Sequence, residues 1–150
     1  MVTKRGWLLA VAGVALSGCV PIKPAQHRVF ENQDVLVLLE PGFGNTATVH
    51  VIVAHPEARG QLFPRSDLSR AYDCKAGRSR TTGVFGFTPQ GKRTRIYAEP
   101  GHEAEVQQWR APVGTQVVEQ RIVCDRAFAA TRRVDGDLDE IEAAYRRKVG

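Results

Sequence analysis

Runs of apolar and polar positions divide the chain into strands followed by helices. Asp34–Glu40 (DVLVLLE) is an apolar run of strand length, and Pro41-Gly42-Phe43-Gly44-Asn45 after it reads as a turn. Thr46 to Val53 alternates. Ala47, Val49, Val51 and Val53 point one way and Thr46, Thr48 and His50 the other, the period of a half-buried strand. His55–Pro64, rich in Pro, Gly and charge, reads as a loop, and Leu68–Cys74 as a weaker strand.

Arg78–Thr88 and Lys92–Ala98 read as a hairpin around Thr88-Pro89-Gln90-Gly91, where Pro at the second and Gly at the fourth position suit a type I turn. Strict alternation places Phe85 and Phe87 on the core face and Arg78, Arg80 and Thr82 on the outer one. On the second strand it places Thr94, Ile96 and Ala98 opposite Arg93, Arg95 and Tyr97.

Gly114 to about Ala130 fits a helix, with Val117, Cys124 and Phe128 on one stripe, Val118 and Ile122 beside it, and Gly114 or Thr115 at its start. A strand over Gln116–Cys124 is the competing pattern. Asp137–Lys148 is a clearer helix, with Leu138, Ile141 and Tyr145 on one face. Its acidic residues come early and its basic ones late, as the helix dipole prefers. The order implies an α+β fold: an antiparallel β-sheet packed against one or two C-terminal helices.

The first eighteen residues follow another pattern. Lys4 and Arg5 precede an uncharged apolar stretch, Gly6 to Ala15, and then Leu16-Ser17-Gly18-Cys19. That is the layout of an export signal, with an apolar part shorter than the roughly 20 residues of a membrane-spanning helix. Leu16-Ser17-Gly18-Cys19 resembles the bacterial lipobox. The resemblance implies lipidation of the Cys19 thiol, acylation (palmitate) and cleavage before that residue. The competing readings are a plain signal peptide or a short anchor helix. Val20 in place of Asp points, by the same resemblance, to the outer membrane of a Gram-negative bacterium. The expected organisation is a signal peptide over 1–18, a proline-containing tether over 19–30, an α+β domain over 31–132 and a C-terminal helix over 133–150.

A signal peptide changes the charge balance. Lys4 and Arg5 are two of 21 Lys and Arg, so 21 − 2 = 19 basic residues face 16 acidic ones, a net of +3. That excess is too small to argue for nucleic acid as a partner. It also sharpens the cysteine count. With Cys19 lipidated, Cys74 and Cys124 remain, and in an oxidising compartment a pair reads as a disulfide. Two free buried thiols are the alternative.

Candidate chemistry is sparse. His27, His50, His55 and His102 lack metal-ligand spacing and read as surface or loop residues. The serines lack a GxSxG elbow, and Gly83 to Gly86 lacks the Lys-Ser/Thr of a phosphate loop. The carboxylates Asp139, Glu140 and Glu142 read as a solvated helix face. The sequence therefore gives no catalytic residue, metal site or cofactor, and it points away from an enzyme. One surface feature stands out: Arg78, Arg80, Arg93 and Arg95 on the outward face of the hairpin, with Lys92 at its turn. Such a face suits sulfated glycan, lipid phosphate or an acidic protein surface. A solvated sheet face is the plainer reading. Trp109 reads as a core residue.

The order Tyr72-Asp73-Cys74, Trp109, Ala111-Pro112-Val113-Gly114-Thr115 and Arg121-Ile122-Val123-Cys124 resembles the surface-adhesin protein E family of proteobacterial lipoproteins. The likeness spans roughly Val35 to Cys124. It departs at Pro112-Val113-Gly114-Thr115, where Pro and Gly are commonly contiguous, and in the added C-terminal helix. It implies a sheet packed on a helix, the two cysteines bridging them, and adhesion to host matrix proteins. Two functions follow as expectations. One is a lipid-anchored binding or adhesion module. The other is a structural or assembly lipoprotein whose exposed Leu138, Ile141 and Tyr145 stripe docks to an envelope partner.

Overall fold

The computed structural model describes residues 25–96 and 108–150. The signal sequence and Cys19 lie outside the described residues. Among the described residues seven strands form one antiparallel sheet in the order β6-β5-β4-β3-β2-β1-β7. They are β1 (Gln26–Glu31), β2 (Val35–Pro41), β3 (Thr46–Val53), β4 (Arg65–Asp73), β5 (Arg78–Phe87), β6 (Arg93–Arg95) and β7 (Arg133–Val134). The helices among the described residues are α1 (Thr115–Cys124), α2 (Arg126–Ala130) and α3 (Leu138–Val149). The α+β class and the antiparallel sheet agree with expectation.

The sheet is covered on both faces because β2 is apolar on both. Val37 and Leu39 join Val29, Ala47, Val49, Tyr72 and Ile122 in a core beneath α1. Leu36 and Leu38 project to the other side and meet Ile52, Ile141 and Tyr145 beneath α3. The half-buried pattern expected of β3 is therefore incomplete. His50 and Ile52, on its second face, are buried too.

Four expectations change. The tether does not reach residue 30, since Gln26–Glu31 pairs with β2 as β1. The helix over 114–130 is two helices. Asp125, extended at φ −117° and ψ 99°, ends α1 and caps α2 by accepting from the Ala127 and Phe128 amides. Val117 is exposed, and α1 buries Glu119 and Ile122 instead. The α3 stripe is no docking surface: Ile141 and Tyr145 are buried on the molecule's own sheet, with Leu138 packed beside them.

Local chemistry explains α3. The Asp137 side chain accepts from the Glu140 amide at 2.9 Å, while the Glu140 carboxylate accepts from the Asp137 amide at 3.1 Å, a reciprocal capping box. At the other end Arg146 donates to the carbonyls of Val53 and Pro64, fastening the helix to the rim of the sheet.

Candidate functional site

A β-bulge in β5 builds the site. Ser69 pairs with Gly83 and Arg70 with Thr81, so Thr82 has no partner across the ladder. Its hydroxyl donates to the Ser69 carbonyl at 3.2 Å. The extra residue shifts the alternation by one. Arg78 and Arg80 consequently share a face with Phe85 and Phe87, whereas unbroken alternation separates them.

On the α1 side of the sheet β5 places buried Ser79 and Gly86 and half-buried Val84. An added Cβ at Gly86 would lie 2.5 Å from the Phe63 ring and 2.6 Å from Ile96, so both side chains close over it. Phe85 and Phe87 lie on the opposite face, in line with Asp67 and Arg65 of β4 and with Arg95 and Arg93 of β6.

Guanidinium groups cover the aromatic rings of this face. Arg93 stands 3.7 Å over the Phe85 ring centroid and Arg65 4.1 Å over that of Phe87. Arg110 bridges to Ser79, with backbone hydrogen bonds of 2.9 Å in each direction. That bridge sets the neighbouring Trp109 beside Arg80, whose guanidinium lies 4.7 Å over the indole. Trp109 is thus partly exposed rather than a core residue. The stacks fix guanidinium planes that would otherwise sample many rotamers.

The hairpin turn agrees with expectation, closed by Gly91 N to Thr88 O at 2.8 Å. Lys92 is exposed just beyond it, and Arg95 is exposed on the same face as Arg93. Arg78 pairs with Asp73 at 3.4 Å. The Ala76 amide, and then Arg78, hold the Asp73 carboxyl below its ordinary range. The five basic residues singled out in sequence therefore lie on one hairpin. Phe85, Phe87, Trp109 and Arg65 complete the face: the bulge brings the phenylalanines onto it, the Ser79–Arg110 bridge brings Trp109, and pairing with Phe87 brings Arg65. Beside Arg65 and Phe87 opens a cleft of about 570 Å³, also lined by Pro56, Pro64, Pro89 and Arg146.

Two histidines are not surface residues. His27 and His50 are 5% and 3% exposed. His50 Nδ1 lies 2.8 Å from Asp67 Oδ1, and its Nε2 lies 3.5 Å from Glu40 Oε2. Burial lowers the His27 pKa below 6.5, opposed by a backbone hydrogen bond to Ala129 and aided by Arg133. The helix carboxylates also divide. Asp139 is exposed, but Glu142 is drawn between Arg65 at 3.2 Å and Arg146 at 2.8 Å.

On the other face Cys74 and Cys124 are bonded, with Cα atoms 5.6 Å apart. Both are exposed, unlike the buried thiols of the alternative reading. Nearby, Glu119 is 1% exposed and accepts from the Tyr72 hydroxyl at 3.0 Å, with Arg70 Nε also at 3.0 Å. Burial and then the Glu119 charge push the Tyr72 phenol well above its ordinary value.

Compared with family models, curated proteins and solved structures, the chain matches none. Among the described residues no helix is long and apolar enough to cross a membrane.

Proposed function

We propose that this chain is a lipid-anchored protein of the cell envelope that binds acidic groups of a glycan, matrix or envelope partner through the arginine face of β4–β6. One observation carries the reading: Arg80 and Arg93 are held over aromatic rings on the same side of the sheet, next to Arg65, which stacks on Phe87 and is itself paired with Glu142 and Asp139. A guanidinium stacked by its face keeps its N–H donors at the edge of the plane, off the ring, and its orientation restricted. That geometry favours bidentate contact with sulfate, phosphate or carboxylate.

The lipobox-like Leu16-Ser17-Gly18-Cys19 supports an anchor at Cys19, and Val20 supports the outer membrane. The adhesion reading draws further support from the resemblance to the surface-adhesin protein E family, centred on the Cys74 and Cys124 frame. The alternative, a structural lipoprotein docking through α3, loses its surface because Ile141 and Tyr145 are internal.

Charge reversal tests the proposal. Arg80→Glu with Arg93→Glu should abolish retention on immobilised heparin and capture of envelope partners in a pull-down from intact envelopes. Retention equal to that of the parent would rule the face out. Mass spectrometry of the mature N-terminus tests the anchor, which requires a lipid-modified Cys19 as the first residue.

A further inference from the structure

The start of β1 and the β2–β3 turn lie at the same end of the sheet. His27 pairs with Leu39, and the Gln26 side-chain amide donates to the Glu40 carboxylate at 3.4 Å. Just beyond Pro41 the chain turns through Gly42-Phe43-Gly44-Asn45. Phe43, at the crest of that turn, is 99% exposed.

The turn is firmly built. The Gly42 amide donates to the Thr46 carbonyl at 2.8 Å, and the Thr46 hydroxyl donates to the Phe43 carbonyl at 2.8 Å. A Cβ at Gly42 would lie 2.6 Å from that hydroxyl oxygen, and Gly44 sits at φ 65°. Both glycines therefore suit a turn that displays the phenyl ring, and the ring supports neither core.

The β4–β5 turn ends beside it, through the Tyr72 amide and the Asn45 carbonyl at 2.8 Å. This neighbour carries exposed Lys75 next to Cys74. The disulfide brings in Cys124 and, two residues on, exposed Arg126. The nearby acids are already engaged: Glu40 by Gln26 and His50, Asp73 by the Ala76 amide and Arg78, Asp125 by the amides that it caps.

The length of chain before β1 names the occupant. Six residues, 20–25, separate Cys19 from Gln26. Fully extended they reach roughly 21 Å. A lipid on Cys19 thus keeps the start of β1, and with it this end of the sheet, within that reach of the bilayer.

We propose that the Phe43 turn is a second contact with the membrane. The phenyl ring enters the headgroup boundary, while Lys75 and Arg126 face anionic lipid phosphates. The proposal rests on the lipid-anchor reading and adds an orientation to it. The strands rise from the bilayer, with Arg65 and Arg93 at the far end of the sheet and Arg80, in register with Ala71 and Thr46, nearer the membrane.

The test uses full-length lipidated protein in phosphatidylethanolamine–phosphatidylglycerol vesicles doped with a brominated lipid. In a Trp109→Phe background, Phe43→Trp is compared with Leu62→Trp. Leu62 is also exposed, in the loop that meets the far end of β3 through Val53 N and Pro64 O. A blue shift and loss of emission at position 43, with neither at position 62, is the expected result. Protein that stays on the vesicles with position 43 unquenched, or with both positions quenched alike, overturns the inference while leaving the anchor intact. Protein that washes off the vesicles with an unmodified Cys19 overturns the anchor and the inference together.

Discussion

Arg80 lies 4.7 Å over the ring of Trp109, a residue 29 positions away in sequence that the Ser79–Arg110 bridge brings alongside. The pairing separates charge from geometry as contributors to binding. Lysine keeps the charge but loses the planar fork and most of the stacking, worth about 0.5–1 kcal/mol at an exposed site. Arg80→Lys combined with Arg93→Lys should therefore weaken heparin binding by roughly tenfold, corresponding to about 1.4 kcal/mol. Titration at fixed ionic strength checks it. Parent-like affinity in the double lysine variant would show that net charge alone suffices.

Glu119 anchors α1 from within. Glu119→Leu removes the acceptor for Tyr72 and leaves the Arg70 guanidinium, itself 10% exposed, without its charge partner. Breaking a buried pair from one side typically costs about 3–5 kcal/mol. Adding Arg70→Met should restore much of that loss, because the second buried charge goes as well. Urea denaturation of the two variants measures the difference, and equal midpoints would contradict a paired role.

Periodicity located the β2, β3 and α3 segments because each satisfies a local rule: an apolar run, a period-2 alternation, or a cap followed by a 3.6-residue stripe. The β1 strand is hidden because two of its buried residues, Gln26 and His27, are polar and a register shift between Arg28 and Phe30 breaks its alternation, and β7 has only two residues. Alternation failed at Thr82 because an inserted residue leaves no mark in composition, yet it reassigns every side chain beyond it. The arginines were legible as a cluster, whereas their aromatic supports depended on that bulge and on the Trp109 segment returning to β5. His50 reads as a surface residue because its partners, Asp67 and Glu40, come from other strands, and Glu119 stays inconspicuous because Arg70 and Tyr72 are distant in sequence. Asp125 reads as one more polar residue in a helical stretch until its extended backbone shows it to be a cap.

His27 gives stability a pH dependence near neutrality. Its folded pKa lies below 6.5, so the unfolded chain binds the extra proton first as pH falls. Stability should be complete above 6.5 and decline as pH drops from there through the lower folded value. The carboxyls of Glu31 and Asp73 are lowered from 4.5 and 3.8, so their losses begin only at more acidic pH. Denaturant midpoints measured on either side of 6.5 should differ for the parent chain and converge in His27→Gln. An unchanged slope in that variant would assign the effect elsewhere.

The disulfide makes the domain sensitive to reductant. Cys74 and Cys124, 50 residues apart, join the end of β4 to the end of α1. Closing a loop of that length removes about 4 kcal/mol of chain entropy from the unfolded state in the loop-closure model. Cys74→Ala with Cys124→Ala should lose most of that amount, and reduction of the parent should match it, since both cysteines are exposed to reductant. Tyr72 and Glu119 then separate tethering from local packing. If the bond acts mainly on the unfolded chain, the Arg70–Glu119–Tyr72 cluster persists in the double variant, and Glu119→Leu costs as much there as in the parent. A smaller cost of Glu119→Leu in the double variant would instead show that the bond is what holds α1 against the sheet.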